Sequence, residues 1–345
     1  MNQEQLQQTA QALVASGKGI LAADESNATA GKRLASIGME NTEANRRAMR
    51  DMLFGAEGLS EYISGVILFD ETLRQDNLTG TSFAADMQAH GVIPGIKVDE
   101  GLENINDVEQ VTKGLESLAG RLPEYYDLGA RFAKWRAVFA ITDTYPSTEC
   151  YEEAASRLAK YTKICQENNI VPIVEPEVMM DGNYNTHSLE RSREVVTAAH
   201  KALFAALEKE GAYLPGVLLK PSMVIPGNGA ESATVEAVAQ ATVDCLKETV
   251  PDDVAGVVFL SGGQSDEEAT AHLNAMNKIA GGVLPWTLTY SYGRALQAAS
   301  LQAWGGKPEN IAAGRAAILH RAKMNSLASK GQYSSSMEAE TAASC

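Results

Sequence analysis

The chain has 345 residues, of which 45% are hydrophobic, 21% charged and 6% aromatic, and 44 Asp and Glu face 29 Lys and Arg for a net charge of -15. The apolar fraction excludes a disordered or fibrous chain, the acidity disfavours nucleic acid as a partner, and no apolar run approaches the ~18 residues of a membrane span. At this length the chain holds one large domain or two ordinary ones, and an anionic ligand needs a local basic cluster that overrides the global field.

The N-terminal MNQEQLQQTAQALV has neither the basic start nor the apolar core of an export signal, so the expected location is the cytoplasm. The four cysteines, Cys150, Cys165, Cys245 and Cys345, form no CxxC pair and read as reduced thiols. The sequons at Asn27 and Asn77 are read as chance matches.

The first strand-like run is Gly19–Ala23, followed by Asp24 and, a little further on, by Lys32 and Arg33. A helical segment follows over Thr42–Phe54, and then come apolar runs at Gly65–Phe69 and Val92–Val98, the latter carrying Lys97. The fourth run, Phe132–Ile141, carries Lys134 and Arg136, and the fifth, Val171–Val178, carries Glu175 and Glu177. Each pair is two residues apart and so lies on one face of its strand. Helical composition at Tyr151–Asn168 and Ser188–Glu210 flanks this fifth run. The sixth run, Val217–Val224, holds Lys220 inside Val217-Leu218-Leu219, and a helix is expected over Ala233–Thr249. The seventh, Gly256–Leu260, runs into Ser261-Gly262-Gly263, and Ser265 with Glu268 forms a capping box that starts a helix over Ser265–Ile279. The eighth, Trp286–Tyr290, runs into Ser291-Tyr292-Gly293-Arg294. The tail beyond Lys330 is small and polar and is expected to be mobile, which leaves residues 1–330 as a single domain.

Eight strands alternating with helices predict an α/β fold, a closed (β/α)8 TIM barrel. A doubly wound open sheet is the alternative, but it would carry a nucleotide loop, and Gly227-Asn228-Gly229 lacks the third glycine of GxGxxG.

Charge within barrel strands is costly unless it is paired. An ion-pair network would explain any one pair here, but seven such groups on neighbouring strands point to an active site at the C-terminal ends of the strands. A lysine among apolar neighbours and beside another ammonium gives up its proton more readily and can attack a ketone. Lys220 is the best placed for that, with Lys97 second and Lys134 as the neighbouring charge. Glu175 and Glu177 suit the proton transfers of imine formation, or serve as ion-pair partners of Lys134 and Arg136. The glycines after the seventh and eighth strands allow close backbone approach to an anion, at the place where phosphate sites of this barrel lie, and Arg294 adds a bidentate partner. Lys32 and Arg33 hold a second anion or form a solvated surface. No His, Asp or Glu cluster has metal-ligand spacing, so the residues suggest a metal-free, phosphate-binding lyase that works through an enzyme imine.

Nine segments carry a resemblance to the class I fructose-1,6-bisphosphate aldolases: GKGILAADES (17–26), GKRLASIG (31–38), GVILFDETL (65–73), GIKVDEG (95–101), FAKWRAV (132–138), IVPIVEPEV (170–178), LLKPSMV (218–224), FLSGGQS (259–265) and SYGRALQ (291–297). The resemblance implies reversible cleavage of fructose 1,6-bisphosphate to dihydroxyacetone phosphate and glyceraldehyde 3-phosphate. It implies that Lys220 forms the Schiff base, Glu175 drives dehydration with support from Glu177 and Lys134, and Asp24 takes the C4 hydroxyl proton. It places Ser261, Gly262, Gly263, Ser291, Gly293 and Arg294 on the C1 phosphate and Lys97, Arg136 and Arg33 on the C6 phosphate. It also implies a cytoplasmic homotetramer with neither metal nor cofactor. Two other readings are a transaldolase-like imine enzyme and a non-catalytic aldolase-like scaffold. The chain departs from the family twice. It ends in Ser344-Cys345, where animal members end in a tyrosine that helps protonate the enamine, and Tyr333 matches no such position. Asn27-Ala28-Thr29 stands where relatives often have Thr-Gly-Ser.

Overall fold

In the computed structural model, which describes residues 1–180, 183 and 185–343, with 340–343 as backbone alone, eight parallel strands close into a barrel. They are β1 (Gly19–Ala23), β2 (Ile63–Leu68), β3 (Ile93–Lys97), β4 (Phe132–Phe139), β5 (Val171–Val178), β6 (Leu218–Leu219), β7 (Gly256–Phe259) and β8 (Thr287–Tyr292). Each strand pairs with the next in sequence, and β8 closes on β1 through Ile20 opposite Ser291. All eight predicted strands are present and the TIM-barrel expectation holds. The sixth is shorter than its apolar run because Pro221 donates no ladder bond, although Lys220 N–H still reaches Val174 O at 2.8 Å. The eighth starts and ends later than expected and takes in Ser291 and Tyr292.

The strands are apolar on both faces because both are covered: β1, β2 and β7 are buried along their whole length. Outward residues such as Leu21, Val66, Ile96, Trp135, Val174 and Val257 pack in the layer beneath the helices. Inward residues form a second cluster, in which Ile20, Phe132, Ile173, Leu218 and Val258 meet Leu6, Ala10 and Leu13 of an N-terminal helix, Gln3–Leu13. That helix closes the bottom of the barrel. Gly95 makes room for this packing, since a Cβ there would lie 2.3 Å from the Phe132 ring.

The predicted helices appear as Glu43–Phe54, Thr148–Glu167, Leu189–Lys209, Val235–Thr249 and Asp266–Ala280. Each begins where a Ser or Thr side chain caps it, and the last has the capping box of Ser265 and Glu268. A two-stranded antiparallel ribbon, Leu102–Asn104 with Gln110–Thr112, follows β3. Among the described residues no helix is long and apolar enough to cross a membrane.

The tail carries tertiary contacts. Tyr333 is buried, its N–H donates to Asn274 Oδ1 at 3.0 Å, and its hydroxyl donates to Glu338 Oε1 at 3.0 Å. Glu338 also pairs with Arg321 and His320. Ser344 and Cys345 lie outside the described residues.

Candidate active site

Side-chain alternation decides what the mouth of the barrel contains. On β1 the inward series Ile20, Ala22 continues to Asp24. On β4 Phe132 is followed on the same face by Lys134 and Arg136, on β5 Ile173 by Glu175 and Glu177, and on β6 Leu218 by Lys220. The interior is therefore apolar at the plugged bottom and charged at the open top. The register sets Arg136 opposite Glu175 and Lys97 opposite Lys134.

These groups meet in a cavity of about 1320 Å³ that is lined by every residue named as a site candidate from the sequence. Lys220 Nζ lies 2.9 Å from Glu175 Oε1, and Lys134 Nζ lies 3.2 Å from Glu175 Oε2 and 2.7 Å from Asp24 Oδ2. Lys220, Glu175 and Lys134 are buried to within 4% of complete. Burial alone would raise the Asp24 carboxyl, but Lys134, Lys220 and Lys97 outweigh it and hold the group well below the usual carboxylate range. Glu175 is lowered in the same way: burial and Asp24 oppose ionisation, and Lys134 and Lys220 overcome them. Lys134 is raised, since the pull of Asp24, Glu175 and Asp99 exceeds the penalty of burial. Lys134 therefore does more than set a like charge beside Lys220, because it also binds three carboxylates together. Glu177 pairs with Arg136.

The loops after β7 and β8 complete the site. Gly263 has φ +74, a left-handed conformation, and a Cβ there would lie 2.5 Å from Met180 Cγ. Gly262 has Glu177 Oε1 at 3.2 Å from its virtual Cβ, so the loop lies directly against the acid pair. The helix Arg294–Trp304 begins at Gly293, and Arg33 Nη2 lies 3.5 Å from the place a Gly293 Cβ would take. The two anion loops expected from the sequence thus share one rim, together with Lys32 and with Ser26, which caps the helix Asn27–Ala35. Among the described residues no group of three His, Cys, Asp or Glu side chains is placed to hold a metal ion.

Two acids escaped the sequence reading. Asp99 Oδ1 lies 2.6 Å from Lys97 Nζ, and its Oδ2 lies 3.9 Å from Lys134 Nζ. Its place two residues beyond Lys97 is the same-face spacing that exposed the other pairs. Glu25 pairs with Arg33 and with Arg50 of the helix Glu43–Phe54. It neighbours Asp24 and so points the other way, toward the helix layer, and no strand pattern reveals a partner there.

A TIM barrel with a buried lysine, its acid partner and a second carboxylate at the mouth, beside two glycine-bearing loops and an arginine, fits a carbon–carbon lyase of the imine-forming kind. The sequence model of the family described as "Fructose-bisphosphate aldolase class-I" matches residues 5–345. A "Probable fructose-bisphosphate aldolase class 1" of Xanthomonas campestris is 52% identical over 337 residues, covering 96% of this chain and 99% of that one. "Fructose-bisphosphate aldolase 5, cytosolic" of Arabidopsis thaliana is 50% identical over 344 residues, 99% of this chain and 95% of that one. Among solved structures, the Plasmodium falciparum fructose-bisphosphate aldolase, crystallised with TRAP and a small-molecule inhibitor, superimposes with a TM-score of 0.93 at 50% identity and 96% coverage of both chains. The chain belongs to the class I fructose-bisphosphate aldolases, enzymes that cleave fructose 1,6-bisphosphate reversibly through a lysine Schiff base.

Proposed function

We propose that Lys220 is the Schiff-base lysine and that the residues around it divide the aldolase reaction as follows. The observation that carries this reading is the 2.9 Å contact between Lys220 Nζ and Glu175 Oε1, with both groups buried. A proton passed from the ammonium to Glu175 leaves a neutral amine and a neutral acid in contact. The amine attacks the C2 carbonyl of the ketose, and the proton held by Glu175 then leaves with the carbinolamine hydroxyl as water. Lys134 steadies Glu175 in its ionised state, and Glu177, paired with Arg136, closes the polar wall beneath Gly262.

The iminium draws electrons from the C3–C4 bond. Asp24 is kept ionised by Lys134, so it is free to accept the C4 hydroxyl proton as that bond breaks. Glyceraldehyde 3-phosphate leaves, and the enamine of dihydroxyacetone phosphate remains on Lys220. Protonation at C3 and hydrolysis of the imine return the free amine. Ser261, Gly262, Gly263, Ser291, Gly293 and Arg294 hold the C1 phosphate, where backbone N–H groups and a helix start favour an anion. Lys97, Arg136 and Arg33 face the C6 phosphate. The enzyme acts as a cytoplasmic homotetramer that needs neither metal nor cofactor. The location is supported by relatives whose names read "cytosolic" in Arabidopsis thaliana and "cytoplasmic isozyme" in Spinacia oleracea, and the tetramer by the family resemblance.

Borohydride reduction in the presence of dihydroxyacetone phosphate, followed by peptide mass spectrometry, tests the assignment. The expected outcome is loss of activity with a covalent adduct on Lys220. An adduct on Lys97 or Lys134, or none at all, would overturn it. Light scattering of the purified protein tests the tetramer.

A further inference from the structure

Behind β1 lies a buried pair, Arg50 and Glu25, that no step above uses. Arg50, on the helix Glu43–Phe54, is 2% exposed, and its Nη2 lies 2.8 Å from Glu25 Oε2 and 3.3 Å from Glu25 O. The other oxygen of the same carboxylate, Oε1, lies 2.8 Å from Arg33 Nη2. Gln297 Nε2 donates to that oxygen at 2.9 Å and to Ala22 O, on β1, at 2.7 Å. One buried carboxylate therefore ties together a helix, the end of β1, the helix after β8 and an arginine that lines the cavity.

Stability does not account for this arrangement. Removing charges from water costs more than a buried pair commonly returns, and an apolar side chain of Arg50's volume would fill the same space. Arg50 also keeps Nε and Nη1 buried without a hydrogen-bond partner among the described residues, a further cost. What the triad does accomplish is geometric. Arg33 carries a long side chain that would otherwise sample many rotamers. Glu25 grips it by one nitrogen and leaves the rest of the guanidinium toward the cavity that Lys97 and Arg136 also line. Glu25 can do so reproducibly because Arg50 holds its second oxygen from behind. A phosphate then meets an arginine already in place and is spared the entropy of ordering it.

We propose that Arg50 is a positioning residue for substrate binding: acting through Glu25, it presets Arg33 for the phosphate remote from the imine. The inference rests on the reading of Arg33 as a ligand of the C6 phosphate. Its consequence is selectivity between sugars that carry that phosphate and sugars that lack it.

The test is steady-state kinetics of the full enzyme and its R50M, R50K and R33M variants with fructose 1,6-bisphosphate and with fructose 1-phosphate. R50M should raise KM for the bisphosphate about tenfold, the worth of one hydrogen bond to a charged group. KM for the monophosphate should stay within about twofold. R50K should recover part of the loss, and R50M should add nothing in an R33M background. A merely structural role for Arg50 would lower thermal stability and leave the ratio of the two KM values alone. Equal losses for both sugars, or R50M and R33M effects that multiply, would overturn the proposal. A ratio that moves in R33M but not in R50M would sink it while leaving Arg33 as a ligand. No change of ratio in R33M would instead remove the reading on which it stands. Should R50M fail to fold, E25Q is read in the same way, with the same selective loss expected.

Discussion

Lys134 Nζ stands 2.7 Å from Asp24 Oδ2, joining the fourth strand to the end of the first across the barrel. The same ammonium reaches Glu175 at 3.2 Å, so one cation touches both buried carboxylates and, with Lys220, keeps them ionised. Both carboxyls are lowered, so their contribution to stability is present above their ordinary values, 3.8 for Asp24, and is lost as pH falls through the lower folded values. Lys134 is raised above 10.5, so its contribution is complete below that value and is lost only at still higher pH. Lys134→Met should leave Asp24 without its direct cation and Glu175 with Lys220 as its remaining ion-pair partner, at a cost of about 3–5 kcal/mol. The acid limb of both the melting curve and the rate profile should move to higher pH. Melts and rates taken from pH 3 to pH 9 check this, and an unchanged acid limb would contradict the network.

The loop after β7 offers a separate test. Gly263 combines φ +74 with a virtual Cβ 2.5 Å from Met180 Cγ and 2.8 Å from its Sδ. Gly263→Val should cost about 1–3 kcal/mol in backbone strain and force the loop off Met180. The expected result is weaker binding of dihydroxyacetone phosphate with a smaller change in the rate of imine trapping. Equilibrium binding of that triose, measured beside borohydride trapping, separates the two.

Two buried histidines predict a pH dependence far from the carboxylates. His200 and His272 are each pushed down to about 4 by burial, so both are neutral in the folded protein near neutrality. The unfolded chain takes up protons first, near 6.5, so stability present above that value declines as pH falls toward 4. His272 Nδ1 lies 2.7 Å from Gln264 Oε1 on the loop after β7, and His200 Nδ1 lies 3.1 Å from Thr249 Oγ1. Melting temperatures at pH 7 and pH 5 should differ in the wild type and differ less in His200→Gln. An equal drop in the variant would exclude His200 from the effect.

Chelation gives a fourth outcome. The chemistry assigned to Lys220, Glu175 and Asp24 is proton transfer and imine formation, neither of which requires a Lewis acid. Dialysis against EDTA should leave the cleavage rate unchanged. A clear loss restored by zinc would refute the metal-free reading.

Most of the barrel was legible in the sequence because each strand is apolar on both faces and stands out as a short run between helical stretches. The ends were less legible. Pro221 cuts β6 to two residues, and β8 extends through Ser291 and Tyr292, which pair with Ile20 and Leu21 where the barrel closes. The charged groups of the mouth were visible because charge in an otherwise apolar run stands out, as at Lys97 and Lys220, and because charges two residues apart there have to share a face. That rule found Lys134 with Arg136 and Glu175 with Glu177, and it reaches Asp99 beyond Lys97.

The alternation of eight apolar runs with helical stretches determined that a barrel forms, and side-chain alternation within single strands, a local property, determined that Lys220, Glu175, Lys134 and Asp24 point into its open end. Which charges touch was decided by the tertiary structure alone. Glu25 meets Arg50 and Arg33 from different helices, Lys134 chooses Asp24 and Glu175 over Glu177, and Tyr333 of the tail donates its N–H to Asn274. Such partners come from elements distant in the chain, and Coulomb attraction depends on their separation in space, which closure of the barrel sets and no spacing along the sequence encodes.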